Sequence, residues 1–154
     1  AISAARSALF NVVLAERVQA EKWNRLLVGD LANLEGSGSV FRVDRLDAVL
    51  HERCRTLDIH PTGPLWHGAT ESFDEVQRLE EAVAARYAEL AAGLARVGLE
   101  PERRALRAKV SELSWTIDGT TVRLQFRLSK GCFATAVLHE LIENAFSPDI
   151  PDVE

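Results

Sequence analysis

The 154 residues contain no methionine, two cysteines and one tyrosine, and aromatic side chains make up 6% of them. Each shortage excludes something. With no start residue and a helical pattern from the second position, the expectation is a piece of a longer protein or a processed one. Cys54 and Cys132 stand far apart in helix-like contexts, which points away from a disulfide framework and toward a reduced, cytoplasmic setting. No apolar run approaches the roughly 18 residues of a membrane helix, and the first residues lack a signal peptide's basic-then-apolar order, so no membrane partner is expected. There is no glycine-rich phosphate loop and no G-x-S-x-G elbow. His139-Glu140-Leu141-Ile142-Glu143 misses the zinc-protease pattern, because Glu143 stands where the second histidine belongs. His51, Cys54, His60 and His67 match no metal-ligand spacing, so neither metal nor cofactor is expected.

What is present reads as one ordinary globular chain, 47% apolar and 27% charged. The formal charge of −5 argues against a wholesale nucleic-acid coat. It is unevenly spread. Between Arg103 and Lys130 there are seven basic residues (Arg103, Arg104, Arg107, Lys109, Arg123, Arg127, Lys130) against Glu112 and Asp118. Everywhere else eleven basic face twenty-one acidic residues. A basic island on an acidic chain suits contact with a phosphate backbone at one face, and equally suits surface ion pairing.

Apolar spacing predicts a helix over 2–20. A short strand with a turn at Gly29-Asp30 follows within Leu26–Leu34, and Val40, Phe41 and Val43 return as a second. Asp44 is expected to cap a helix ending near Arg55 that buries Leu46, Val49, Leu50 and Cys54. Asp58 to Gly68, with two prolines and two glycines, is expected to be irregular, its Trp66 and His67 open to RNA or Trp66 packed on the next helix. That helix opens with the capping box Ser72-Phe73-Asp74-Glu75 and runs unbroken to Gly98. Glu102 to Lys109 reads as a short basic turn. Leu113, Trp115 and Ile117, then Val122, Leu124, Phe126 and Leu128, form a hairpin around Asp118-Gly119. One face is expected to be core; the other carries Arg123, Gln125 and Arg127. A last helix from Cys132 to about Ala145 is expected to bury Ala134, Leu138, Leu141 and Ala145. Paired strands with helices segregated from them indicate an α+β class.

The stretch Ser129 to Glu140 joins that hairpin to that helix. Gly131 lets backbone approach a ligand, free helix amides favour an anion, and Phe133 offers a flat face that a nucleobase or the core would accept. Lys130 to Glu140 resembles the G-[ST]-[FY]-A-T-x-V-L-R-E segment of the TruD family of tRNA pseudouridine synthases. Ile2 to Ser7 with Phe10-Asn11 resembles the family's L-S-A-A-R-S…F-N, and Asp58 to Trp66 a loop many members carry. Glu102 to Arg107 followed by Leu113-Ser114-Trp115 resembles its R-R…L-x-W stretch.

The resemblance implies isomerisation of uridine to pseudouridine in tRNA, at position thirteen by family habit, with no cofactor. It implies that residues 1–105 are part of the family's insertion domain and that 106–154 return to the catalytic domain, whose mixed sheet they complete. Phe133 matches the aromatic residue that contacts the target uridine; Gly131 and Lys130 lie beside it, and Arg103, Arg104, Arg107, Arg123 and Arg127 are the expected RNA contacts. Ser129, Cys132 and His139 depart from the family's proline, serine and arginine, which puts substrate affinity in doubt. The chemistry requires a carboxylate beside the uridine C1′, which the family carries in a G-x-K-D-like motif. No such motif occurs here; Asp30, Asp58 and Asp118 do not match it, so no catalytic residue is expected in this chain and it should be inactive alone, partnered by a missing N-terminal part. The competing reading is a non-catalytic RNA- or protein-binding module derived from the same fold.

Overall fold

Helix α1, Ile2–Gln19, turns Leu9, Phe10 and Val13 inward, and packs on a strand and two helices that come later in the chain. The computed structural model describes residues 2–68, 74–129 and 132–141. The chain divides into two units, one ending at Arg107 and the other starting at Ala108.

In the first unit, β1 (Leu31–Leu34) pairs antiparallel with β2 (Val40–Arg42) and with β3 (Ile59–His60), giving the order β2-β1-β3. Gly29 takes φ +93, and a Cβ there would collide with the Asp74 carboxyl. Between β2 and β3 lies α2, Ala48–Arg55. Its cap is Asp47, which accepts from the Leu50 amide at 2.8 Å, not the expected Asp44. Asp44 is instead engaged by Arg42 at 3.1 Å. Both aspartates fit the composition of a cap; the residue whose carboxyl reaches the third amide on wins. Of the side chains expected inside, Cys54 is buried and Val49 is exposed.

The stretch expected to be irregular is the best-buried part of the unit. Ile59 to Trp66 are all buried, and β4 (Thr62–Leu65) pairs antiparallel with β5, Glu102–Ala105. Pro64 is accommodated because the sheet has two strands, so its missing N–H faces no ladder partner. Gly63 fits closely: a Cβ would lie 3.1 Å from both Leu106 and Phe10 side-chain carbons, so either ring or methyl would have to shift by a few tenths of an ångström. The basic turn expected at Glu102 to Lys109 is thus a strand over its first four residues.

The long helix expected up to Gly98 is two. α3, Glu75–Arg86, is capped by Asp74 accepting from the Gln77 amide at 3.0 Å, and α4 spans Ala88–Ala95. Tyr87, at φ −119 and ψ 45, breaks the run. The Ser72 and Phe73 of the expected capping box lie outside the described residues. Three apolar clusters fill the unit: Leu26, Ala32, Val43, Cys54 and Ile59 under the first sheet; Phe10, Leu65 and Leu106 under β4; and Leu9, Trp66, Ala84, Ala91 and Leu94 among the helices. Trp66 is therefore a core side chain.

The second unit contains the hairpin β6 (Val110–Asp118) and β7 (Thr121–Leu128), turning at Gly119 with φ +57, and α5, Ala134–Leu141. Ser111 pairs with Arg127 and Ser114 with Gln125, so Glu112 and Leu113 together oppose Phe126. The extra residue is a β-bulge, with Glu112 at φ +53. It resets the alternation, placing Val110 on the same face as Leu113, Trp115 and Ile117. That apolar face was expected to be core, yet Trp115 is 63% and Ile117 69% exposed. α5 likewise has no buried residue, and Leu141 is exposed; Ala145 lies outside the described residues. Helices and small antiparallel sheets make the fold α+β.

Candidate nucleic-acid interface

The five arginines of the basic island divide by what their guanidinium groups touch. Arg103, on β5, donates from Nη1 and Nη2 to the Glu80 carboxylate at 3.0 and 2.5 Å, and to Thr62 Oγ1 and the Thr62 carbonyl. Arg107 donates to His60 Nδ1 at 3.0 Å and to the carbonyls of Asn24, Cys54 and Ile59. Both are committed to protein acceptors, so their first role is to tie β4, α3 and the first sheet together. Arg104 is less occupied. Its Nη1 reaches Ser7 Oγ at 3.4 Å, and its guanidinium carbon lies 5.1 Å from the Phe10 ring centroid, a cation–π arrangement. It lines an open groove of about 380 Å³ with Ser3, Arg6 and Glu102.

On the hairpin, Arg123 and Arg127 are exposed on the polar face with Ser114, Thr116 and Gln125. Arg127 pairs with Glu112 at 3.1 Å across solvent, an interaction worth a fraction of the about 1 kcal/mol upper range for such pairs. Four residues apart on a strand, the two arginines sit roughly 13 Å apart along its axis. Phe133, immediately before α5, is 71% exposed. Lys130 and Gly131 lie outside the described residues. The described candidates therefore fall into two sets: Arg103, Arg104 and Arg107 in the first unit, Arg123, Arg127 and Phe133 in the second.

Charges inside the first unit form connected networks. Arg17 and Asp30 are both buried and paired at 2.9 and 3.0 Å; Arg17 also donates to the Lys22 and Arg25 carbonyls, and Asp30 accepts from the Leu27 amide. His60 bridges Arg107 and the Glu35 carboxylate. Since Arg107 can only donate, His60 Nδ1 accepts, and the ring proton sits on Nε2 facing Glu35. Burial pushes the Glu80 carboxyl above its usual range, with Arg103 opposing that shift. Burial pulls His67 below its usual value, helped by the positive charges of Arg6 and Arg103. Arg6 itself holds the Leu65 and Glu100 carbonyls and the Glu102 carboxylate. Sequence reasoning missed these partnerships. The signal available for Arg17 was helical spacing, since it falls four residues after Val13 on the inward stripe of α1. Among the described residues, no three His, Cys, Asp or Glu side chains group in a way that holds a metal ion, and no helix is long and apolar enough to cross a membrane.

Residues 2–141 match the sequence model of the family described as tRNA pseudouridine synthase D (TruD). The chain is 43% identical over 144 residues to the tRNA pseudouridine synthase D of Nitrosococcus oceani, covering 92% of this chain and 40% of that protein. To the one of Stutzerimonas stutzeri it is 44% identical over 151 residues, covering 97% and 43%. It thus spans about two fifths of the length of the curated relatives it matches. A solved structure of the putative tRNA pseudouridine synthase D (TruD) from Methanosarcina mazei shares the fold, at a TM-score of 0.60 and 19% identity, over 88% of this chain and 36% of that one.

Proposed function

The chain belongs to the TruD family of tRNA pseudouridine synthases, and on that footing we propose that it supplies part of an enzyme that isomerises uridine to pseudouridine in tRNA. The observation that carries this reading is the match over residues 2–141, which takes in every element described. In the reaction the C1′–N1 bond of uridine breaks, a C1′–C5 bond forms, and the proton leaving C5 is balanced by one gained at N1. No atom is gained or lost and nothing is oxidised, so the reading needs no cofactor. A carboxylate is needed at C1′, and in this reading it comes from a preceding segment that carries the G-x-K-D-like motif absent here.

In this reading residues up to about 105 are part of the insertion domain and the rest belongs to the catalytic domain. Phe133 stacks on the target base, since an exposed phenyl ring gains about 1–3 kcal/mol from such a contact. Gly131 lets the backbone approach the nucleotide, and Lys130 holds a nearby phosphate. Arg123 and Arg127 line the hairpin's polar face for the RNA backbone, and Arg104 offers donors at its groove. Arg103 and Arg107 act indirectly, by fixing β5 and the residues that follow it. Position thirteen of tRNA and a cytoplasmic setting complete the proposal.

The test is to supply the preceding segment, in the same polypeptide or in trans, with unmodified tRNA, and to map pseudouridine by carbodiimide labelling. Product that requires both pieces supports the enzyme. RNA binding by this chain with no product in any mixture would favour the non-catalytic module instead.

A further inference from the structure

We infer that His60 is a positioning residue for the proposed reaction: neutral, with its proton on Nε2, it holds Arg107, and through Arg107 the point at which the chain leaves the first unit. The inference rests on the reading above, in which the stretch beyond that point carries a wall of the reacting site. Its independent support is the way Arg107 is held.

Pairing of β5 with β4 ends at Ala105, opposite Thr62. Two more residues are nevertheless fixed before the second unit starts at Ala108. Leu106 donates its amide to the Pro61 carbonyl at 2.9 Å and is buried with Phe10 and Leu65. Arg107 sends its side chain back to the end of α2 and to β3. It donates from Nη2 to the Cys54 and Ile59 carbonyls, from Nη1 to the Asn24 carbonyl at 2.9 Å, and from Nε to His60 Nδ1 at 3.0 Å. The strand ladder does not require these bonds, since Arg107 lies two residues beyond it. What they secure is the chain's exit, three residues before β6 begins at Val110.

Of these acceptors, three are main-chain carbonyls, which can only accept. His60 Nδ1 differs, because a proton there turns it into a donor facing another donor. Glu35 guards against that. It accepts from Nε2 on the far side of the ring, and so keeps the one ring proton of neutral histidine away from Arg107. Glu35 is held in turn by its own amide, which donates to the Asp58 carbonyl at 2.9 Å. The same carboxylate supplies a negative charge to a guanidinium whose direct acceptors here are all neutral, one imidazole away. His60 is 1% exposed, so solvent cannot stand in for either partner, and its backbone is pinned by pairing with Asn33. Glu35, His60 and Arg107 thus form a relay ending on the last residue of the first unit. A loosened exit would let the stretch that carries Phe133 sample arrangements off the target base, a loss of alignment and not of affinity.

The experiment uses the polypeptide in which this stretch follows its preceding segment, with unmodified tRNA as substrate. His60→Leu should lower kcat by about 10- to 100-fold and change KM by less than about threefold, since alignment is lost while binding contacts remain. His60→Asn, whose Oδ1 replaces Nδ1 as an acceptor, should recover most of that rate. Combining His60→Leu with Arg107→Ala should cost no more than the worse of the two single changes, because both remove the same bond. An unchanged kcat in His60→Leu, a change confined to KM, or losses that multiply in the double variant would overturn the assignment. Nitrogen NMR of the histidine rings in the native polypeptide reads the relay without activity. The His60 signals, identified by their loss in His60→Asn, should show a bare Nδ1 and a protonated Nε2. A proton on Nδ1 near neutral pH would overturn the proposal even where His60→Leu fails to fold. No pseudouridine from the native polypeptide would sink the enzyme reading and this inference with it. Product from the native polypeptide together with any of the overturning results would sink this inference alone.

Discussion

Arg103 and Glu80 face each other in a two-pronged ion pair, Nη1 to Oε2 at 3.0 Å and Nη2 to Oε1 at 2.5 Å, with the Glu80 side chain 6% exposed. The pair joins β5 to α3, and a third group, Thr62 on β4, accepts from the same arginine. Removing the arginine alone leaves a carboxylate buried without its counter-charge. Arg103→Ala should therefore cost about 3–5 kcal/mol in urea unfolding, and the double change Arg103→Met with Glu80→Leu should recover most of it. A silent single variant would mean that the pair is not formed in solution.

Glu80 also sets a pH dependence. Its carboxyl is raised in the fold by burial, so the folded state holds the proton more tightly than the unfolded state does. The sign follows: the stability tied to protonated Glu80 is complete below the ordinary glutamate range and is lost as the pH rises through the raised value. Relative to Glu80→Gln, the native chain should lose unfolding free energy as the pH rises from the ordinary glutamate range through the raised value. A difference that stays constant with pH would contradict the burial argument.

His67 runs the other way. Burial and the nearby Arg6 and Arg103 charges hold its pKa down, so its contribution is present above the ordinary histidine value and fades as the pH falls through the lowered one. An NMR titration of the ring should show a midpoint below the ordinary histidine value, and Arg6→Gln should move it upward. A midpoint at or above the ordinary value would refute the assignment.

The two classes of arginine should separate in binding assays. Arg123→Ala should weaken tRNA binding evenly across tRNAs and lower the salt slope by about 1, with little change in stability. Arg107→Ala should instead lower the unfolding midpoint, because His60 and three carbonyls lose their donor. A matching loss of salt slope in Arg107→Ala, at unchanged stability, would place that side chain on the RNA.

Much of this layout was legible from residue order. The first helix, the hairpin with its Asp118-Gly119 turn, and the burial of Cys54 follow from apolar spacing and turn chemistry, which act within a few residues. Several of the failures were decided by a partner far along the chain. Pro61 and Pro64 read as a loop, yet β5, some forty residues later in the chain, pulls that stretch into a buried sheet. Asp44 and Asp47 are equal as cap candidates until Arg42 engages one of them. Tyr87 fits the apolar stripe, and only the backbone shows that the helix stops there. Arg103 and Arg107 counted as surface charge in the tally, because a charge count cannot see Glu80 or His60. Of the expected site, the exposure of Phe133, Arg123 and Arg127 is observed, while Lys130 and Gly131 lie outside the described residues.

The central claim is that this stretch forms one wall of a pseudouridine-forming site, with Phe133 on the target base. The most direct measurement is the rate of pseudouridine formation in tRNA by the polypeptide in which this stretch follows its preceding segment, native against Phe133→Ala and Phe133→Tyr. Losing a base-stacking contact of about 1–3 kcal/mol predicts a fall of roughly 5- to 150-fold for alanine, and near-native rates for tyrosine, which keeps the flat face. Pseudouridine formed at the native rate by Phe133→Ala would contradict the account.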